Sequence, residues 1–196
     1  MPKIVDHEAR RAELAEALWR VVIREGIGGV TIRSVADEAG WSRGIVEHYF
    51  ESKDELVRFA CRLAAERILV KVRERHASLE GRAALRAVLL QDLGLFSKRK
   101  ESVNVWMGML SAAAREPGLT AEFVRFDEEL RAVIAEMIAE MMARGEASPD
   151  IDPEEKARSL FAFNIGMAAD LSFRPASYSE TALEAQVDAF LDGLSG

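Results

Sequence analysis

The chain has 196 residues, 49% of them hydrophobic, and only five prolines, which suits an ordered, largely helical protein with one core of moderate size or two small ones. Its formal charge of −7 excludes a generically basic nucleic-acid coat, and residues 1–60 alone carry nine cations against eleven acids. The lone Cys61 has neither a disulfide partner nor a second thiol at metal-ligand spacing, and no apolar run approaches the roughly 20 residues of a membrane span or resembles a signal peptide. A cytoplasmic protein with no membrane attachment is expected.

Asp6 to Glu25 carries Leu14, Ala17, Leu18, Val21 and Val22 on one side and Arg10, Arg11, Arg20 and Arg24 elsewhere. That is an amphipathic helix, stopped by Gly26. Its arginines read either as a solvated face or, with Lys3 or Arg10, as phosphate contacts. Next comes Thr31 to Lys53, TIRSVADEAGWSRGIVEHYFESK. Ile32, Val35, Ala36 and Ala39 recur at helical spacing behind Thr31, a residue suited to accept backbone N–H bonds as an N-cap. Gly40 ends this short helix, and Ser42 is a fresh N-cap for a second one over Arg43 to Phe50. The grammar repeats at Ser52-Lys53-Asp54-Glu55, where serine and glutamate have the spacing of a capping box. Two short helices joined by a glycine turn form a helix-turn-helix, whose second helix can enter the DNA major groove.

Those residues resemble the DNA-binding half of TetR/AcrR-family transcriptional regulators. The match runs through Thr31, Val35, Ala36, Ala39, Gly40, Ser42, Gly44, Val46, Tyr49, Phe50, Lys53 and Leu56. The run from Gly44 to Phe50, GIVEHYF, is closer to the choline-responsive BetI subgroup than to the family at large. Glu47 stands where many members carry an aromatic residue, and Trp41 where most carry a small aliphatic one. The resemblance implies DNA contact from Thr31, Arg33, Ser42, Arg43, Gly44, Ile45, His48, Tyr49 and Lys53. Within that set the chemistry differs: Arg43 can donate to guanine or phosphate, Gly44 permits close backbone approach, and Tyr49 and Lys53 suit phosphate oxygens.

From Ser52 the helical pattern continues unbroken to about Ser78. In a TetR-like protein this is the fourth helix, shared by both domains, so the boundary is placed near Ala60: residues 1–60 for DNA and 61–196 for ligand and partner. Further helices are expected over Arg82–Phe96, Glu101–Arg115, Thr120 to about Arg144, Pro153–Phe173 behind the Asp152-Pro153-Glu154-Glu155 start signal, and Glu180 to about Leu194. The fold class is all-α with about nine helices, three of them in the N-terminal domain.

Enzyme chemistry has no support. His7, His48 and His76 are isolated, and there is no metal-binding HExxH, phosphate loop or nucleophile elbow; no cofactor and no metal are expected. Six of the seven methionines gather beyond residue 100 and suit an adaptable apolar pocket. The resemblance implies such a pocket for a small-molecule effector, with Leu63, Trp106, Met109, Leu110, Phe126, Met137, Phe163, Asn164 and Met167 as candidate lining. Aromatic residues are only 7% of the chain, which disfavours the aromatic cage that a choline-type ligand needs. Apolar faces at Leu160, Phe161, Ala168 and Leu171, and at Val187 and Phe190, lie on the two helices through which TetR-like proteins form homodimers. The reading is a ligand-responsive regulator, most simply a repressor, that binds a pseudo-palindromic double-stranded DNA operator as a homodimer and is released by a small apolar or amphipathic effector. The alternative is an all-helical binding or interaction module of the same fold with little specific DNA affinity.

Overall fold

The computed structural model describes residues 7–98 and 100–195, excluding the side chains of 92–104, 106, 172 and 175. The described elements are α1 (His7–Glu25), α2 (Ile32–Ala39), α3 (Arg43–Tyr49), α4 (Lys53–Ser78), α5 (Gly81–Lys98), α6 (Lys100–Ala113), α7 (Pro117–Ala143), α8 (Pro153–Phe173) and α9 (Glu180–Asp192). Short 3-10 turns occupy Ile27–Gly29 and Pro175–Ser177, and there is no strand among the described residues. No described helix is long and apolar enough to cross a membrane.

Side-chain caps account for most of the helix starts. The Asp152 carboxylate accepts from the Glu154 N–H at 2.9 Å, with Pro153 in the first position of α8, where its missing N–H costs nothing. Ser179 caps α9 by accepting from the Ala182 N–H at 3.1 Å. Two expected starts are different in detail. Thr120 does not cap α7; the helix begins at Pro117 under the Glu116 carboxylate, which accepts from the Gly118 N–H at 3.1 Å and also from the Leu119 N–H. The Thr120 hydroxyl donates instead to the carbonyls of Ala113 and Glu116. At α4, Ser52 accepts from the Glu55 N–H at 3.1 Å as expected, but the Glu55 carboxylate reaches the N–H of Glu51 at 2.8 Å, one residue before its capping-box position.

The chain divides into two compact units, residues 1–67 with 104–124 and residues 68–103 with 125–196. The division falls inside α4 after Arg67, and it gives residues 104–124 to the first unit. The core of that unit gathers Leu14, Leu18, Val21, Val35, Val46, Phe50, Leu56 and Phe59 with Met109 and Leu119. Burying one leucine of this kind contributes about 1.5–3 kcal/mol, so the apolar stripe of α1 is what holds the two short helices down. In the second unit Leu85, Leu89, Met137, Ile138, Met141, Leu160 and Leu191 are fully buried. There α5 is tied to α9 by Arg86, whose Nε donates to Asp188 at 2.7 Å, and by Arg82, whose Nη2 donates to Asp192 at 2.7 Å.

Candidate nucleic-acid interface

The turn between α2 and α3 is determined residue by residue. Thr31 Oγ1 accepts from the Ser34 N–H and Ser34 Oγ from the Thr31 N–H, both at 2.9 Å, closing a reciprocal box at the start of α2. Gly40 adopts φ 71°, in the left-handed region, and the Trp41 N–H returns to the Ala36 carbonyl at 2.9 Å. Ser42 then opens α3 by accepting from the Ile45 N–H at 3.4 Å. Val46 and Phe50 are buried and fix the inner side of α3, so Arg43, Gly44, Ile45, Glu47 and His48 are left exposed. Ile45, 46% exposed, is an apolar side chain at the surface of a helix that otherwise presents polar groups.

A cation holds this arrangement from behind. The Arg11 guanidinium carbon lies 4.5 Å from the ring centroids of both Phe50 and Phe59, and its Nη2 donates to Glu55 at 2.9 Å. Arg11 is therefore not on the solvated face of α1; it links α1 to α4 across the aromatic pair, a role that no local spacing reveals because the partners are remote in sequence. On the other side, Trp41 packs 5.8 Å from Tyr49, with Arg10 5.2 Å above its ring. His7 and His48 flank the same tyrosine at 4.7 and 5.3 Å. Tyr49, expected to suit phosphate oxygens, is half-buried in this aromatic group. Lys53, at the start of α4, is half-buried, whereas Thr31, Arg33 and Ser42 are exposed.

The electrostatics of this surface are those of paired charges. Arg43 Nε donates to Glu47 at 2.7 Å, one helical turn away, and Arg33 lies 3.8 Å from Asp37 in the same i,i+4 relation. Arg20 and Arg24 of α1 both donate to Glu38 of α2, at 2.7 and 2.6 Å. The seven arginines between residues 10 and 58 all have a carboxylate partner. Glu47, absent from the expected contact set, is thus part of the exposed face of α3; its spacing from Arg43 is the one local signal that points to it. Lys3 lies outside the described residues.

Other expected residues fall as follows. Of the effector set, Leu63, Met109 and Leu110 belong to the first unit, where Met109 is core and Leu63 packs against it. The side chain of Trp106 is outside the described residues. In the second unit Phe126, Met137 and Met167 are buried, Asn164 is half-buried, and Phe163 packs against Phe190 with ring centroids 5.0 Å apart. A described notch of about 440 Å³ involves other residues, Lys71, Glu74, Arg75, Ser78 and Gln91. Of the dimer set, Leu160, Ala168, Leu171 and Val187 are buried within the chain's own second unit, whereas Phe161 and Phe190 remain half-exposed.

Comparison with known proteins agrees with this geometry. The family model for bacterial regulatory proteins of the tetR family matches residues 14–59, and that for the C-terminal domain of BetI-type transcriptional repressors matches residues 81–196. The HTH-type transcriptional regulator PksA of Bacillus subtilis (strain 168) is 29% identical over 177 residues, covering 89% of this chain and 84% of PksA. The HTH-type transcriptional regulator BetI of Paraburkholderia phymatum is 32% identical over 121 residues, 61% of this chain and 62% of that protein. A solved transcriptional regulator from Rhodococcus sp. Rha1 shares 29% identity at a TM-score of 0.81, covering 94% of this chain and 95% of its own. The chain belongs to the TetR family of transcriptional regulators, with a BetI-type C-terminal domain over residues 81–196.

Proposed function

We propose that the protein acts in the cytoplasm as a homodimer that binds a pseudo-palindromic operator through paired α3 helices and releases it when a small apolar or amphipathic effector occupies the ligand-binding domain. The observation that carries this reading is the exposed face of α3, positioned from below by Val46 and Phe50 and presenting Arg43, Gly44, Ile45 and His48. Arg43 supplies donors for a guanine edge and Ile45 apolar contact for a thymine methyl. A Cβ on Gly44 would meet nothing within 4 Å in the free protein, so the glycine leaves room for the approach of a phosphate backbone. Effector release is a population shift: the effector must favour the dimer geometry that does not fit DNA, because equal affinity for both states shifts nothing.

The second reading, a binding module of the same fold with little specific DNA affinity, is favoured by the carboxylate partners of all seven N-terminal arginines. A mobility-shift titration on the DNA flanking the protein's own gene, against a scrambled duplex and across a salt series, separates the two. Preferential retardation of the flanking DNA supports the regulator. Equal, weak retardation of both duplexes, vanishing as salt rises, supports the module.

A further inference from the structure

The exposed pair on α3 is arranged against the interest of the helix that carries it. Arg43 occupies the first position of α3, where the helix dipole disfavours a cation, and Glu47 lies toward the C-terminal end, where it disfavours an anion. An i,i+4 pair supports a helix better with the acid N-terminal to the base; here the order is reversed. The side chains are 69% and 45% exposed, so the pair covers no core either. In this order and place the pair supports the helix only weakly, and packing adds nothing to a 2.7 Å contact between these two residues.

What the contact does fix is the way Arg43 can donate. With Nε engaged by the Glu47 carboxylate, the planar guanidinium is left with its two Nη groups, a pair of donors that matches the O6 and N7 acceptors of guanine. The carboxylate also cancels the charge locally. An unpaired arginine at the mouth of a groove is drawn to phosphate, which carries no sequence information, whereas a neutralised one keeps its directional hydrogen bonds and loses most of its non-directional attraction. The Arg33–Asp37 pair on α2 repeats the pattern, with a looser contact of 3.8 Å.

We propose that Glu47 is a specificity-determining positioning residue, which by holding Arg43 Nε offers the two Nη donors to a guanine edge and withholds the arginine's charge from phosphate. The proposal rests on the reading of α3 as the groove-entering helix.

The test uses the full-length protein. A library of randomised duplexes is selected with the wild type, and affinities for the resulting consensus, its single-base variants and a scrambled duplex are measured across a salt series for wild type, Glu47→Ala, Glu47→Gln, Arg43→Ala and Arg43→Ala/Glu47→Ala. The wild type should prefer guanine at one position per half-site by about 5-fold or more, and Arg43→Ala should lose the preference there alone. Glu47→Ala should reduce that preference by about threefold or more, bind scrambled duplex more tightly, and steepen the salt slope by about one ion per protomer. Glu47→Gln keeps a carbonyl acceptor for Nε, so it should restore the guanine preference while sharing the raised affinity for scrambled DNA. In the double variant the Glu47 change should add nothing at the guanine position, and melting temperatures should agree throughout. Full guanine preference in Glu47→Ala, alongside its loss in Arg43→Ala, overturns the role of Glu47 alone. An unchanged consensus in Arg43→Ala overturns the placement of Arg43, and a wild type that selects no consensus overturns the operator reading itself.

Discussion

Arg24 Nη1 donates to Oε2 of Glu38 at 2.6 Å, and Oε1 of the same carboxylate accepts from Arg20 Nε at 2.7 Å. These contacts tie the C-terminal half of α1 to α2 outside the apolar core. They hold the Glu38 carboxyl below the ordinary value of 4.5, the hydrogen bond from Arg24 being the larger cause and that from Arg20 the next. A carboxylate whose pKa falls on folding binds fewer protons folded than unfolded, so its contribution is fully present above pH 4.5 and is lost as pH falls through the depressed value. Melting curves between pH 7 and pH 3 should therefore show a steeper acid decline for wild type than for Glu38→Gln. Parallel declines would mean that the two arginines do not stabilise the folded state through Glu38.

Gly40 is the pivot of the turn. Its φ of 71° is left-handed, and an added Cβ would meet nothing within 4 Å, so the whole cost of a side chain there is backbone conformation. Gly40→Ala should destabilise the protein by about 1–2 kcal/mol, and Gly40→Asn by less, because asparagine tolerates that region better. Urea unfolding with unchanged slope checks this. Wild-type stability in Gly40→Ala would show that the turn does not need the left-handed residue.

Cys61 packs against the core of the first unit, and burial, with the Glu122 carboxylate adding to it, pushes the thiol up to about 12. Against an ordinary value of 9.0, the reactive thiolate is then populated roughly a thousandfold less at neutral pH. Native protein at pH 8 should react with a thiol-selective disulfide reagent far more slowly than the same protein in guanidinium chloride. Equal rates in the two solvents would contradict the packing of Cys61 against that core.

Much of the fold was legible because its signals are local. Thr31, Ser42 and Asp152 cap within three residues, and the stripe of Leu14, Leu18, Val21 and Val22 reports its buried face by period alone. The start of α7 was less legible for a physical reason: proline stops one helix and suits the first position of the next, and the Glu116 carboxylate on the N–H groups of Gly118 and Leu119 starts α7 at Pro117, ahead of the expected Thr120. Periodicity tells which face is apolar but not what covers it, so the place of residues 104–124 in the first unit and of Arg11 between Phe50 and Phe59 lay beyond it. At the candidate site, Arg43, Ile45 and His48 were legible as exposed residues of α3. The attachment of Glu47 to Arg43 was not, because i,i+4 spacing allows such a contact without requiring it and only the 2.7 Å distance shows it.

The same limit of periodicity separates two kinds of residue on α8. Leu160 is 2% exposed, whereas its neighbour Phe161 is half-exposed, with the Arg131 guanidinium 5.4 Å from its ring centroid. A charge at Leu160 must be desolvated inside the protomer, which costs several kcal/mol, so Leu160→Glu should unfold the second unit whatever the oligomeric state. A charge at Phe161 stays near water in the monomer and is buried only if that surface meets a partner. Phe161→Glu should therefore keep its helical circular dichroism and cooperative melting but sediment as a monomer. It should also lose operator binding steeply, because two half-sites about 34–36 Å apart on successive major grooves need two linked α3 helices. Analytical ultracentrifugation of both variants beside wild type decides the point. A folded, dimeric Phe161→Glu would place the partner surface elsewhere on the protein, and a monomeric wild type at micromolar concentration would remove the homodimer from the proposed function.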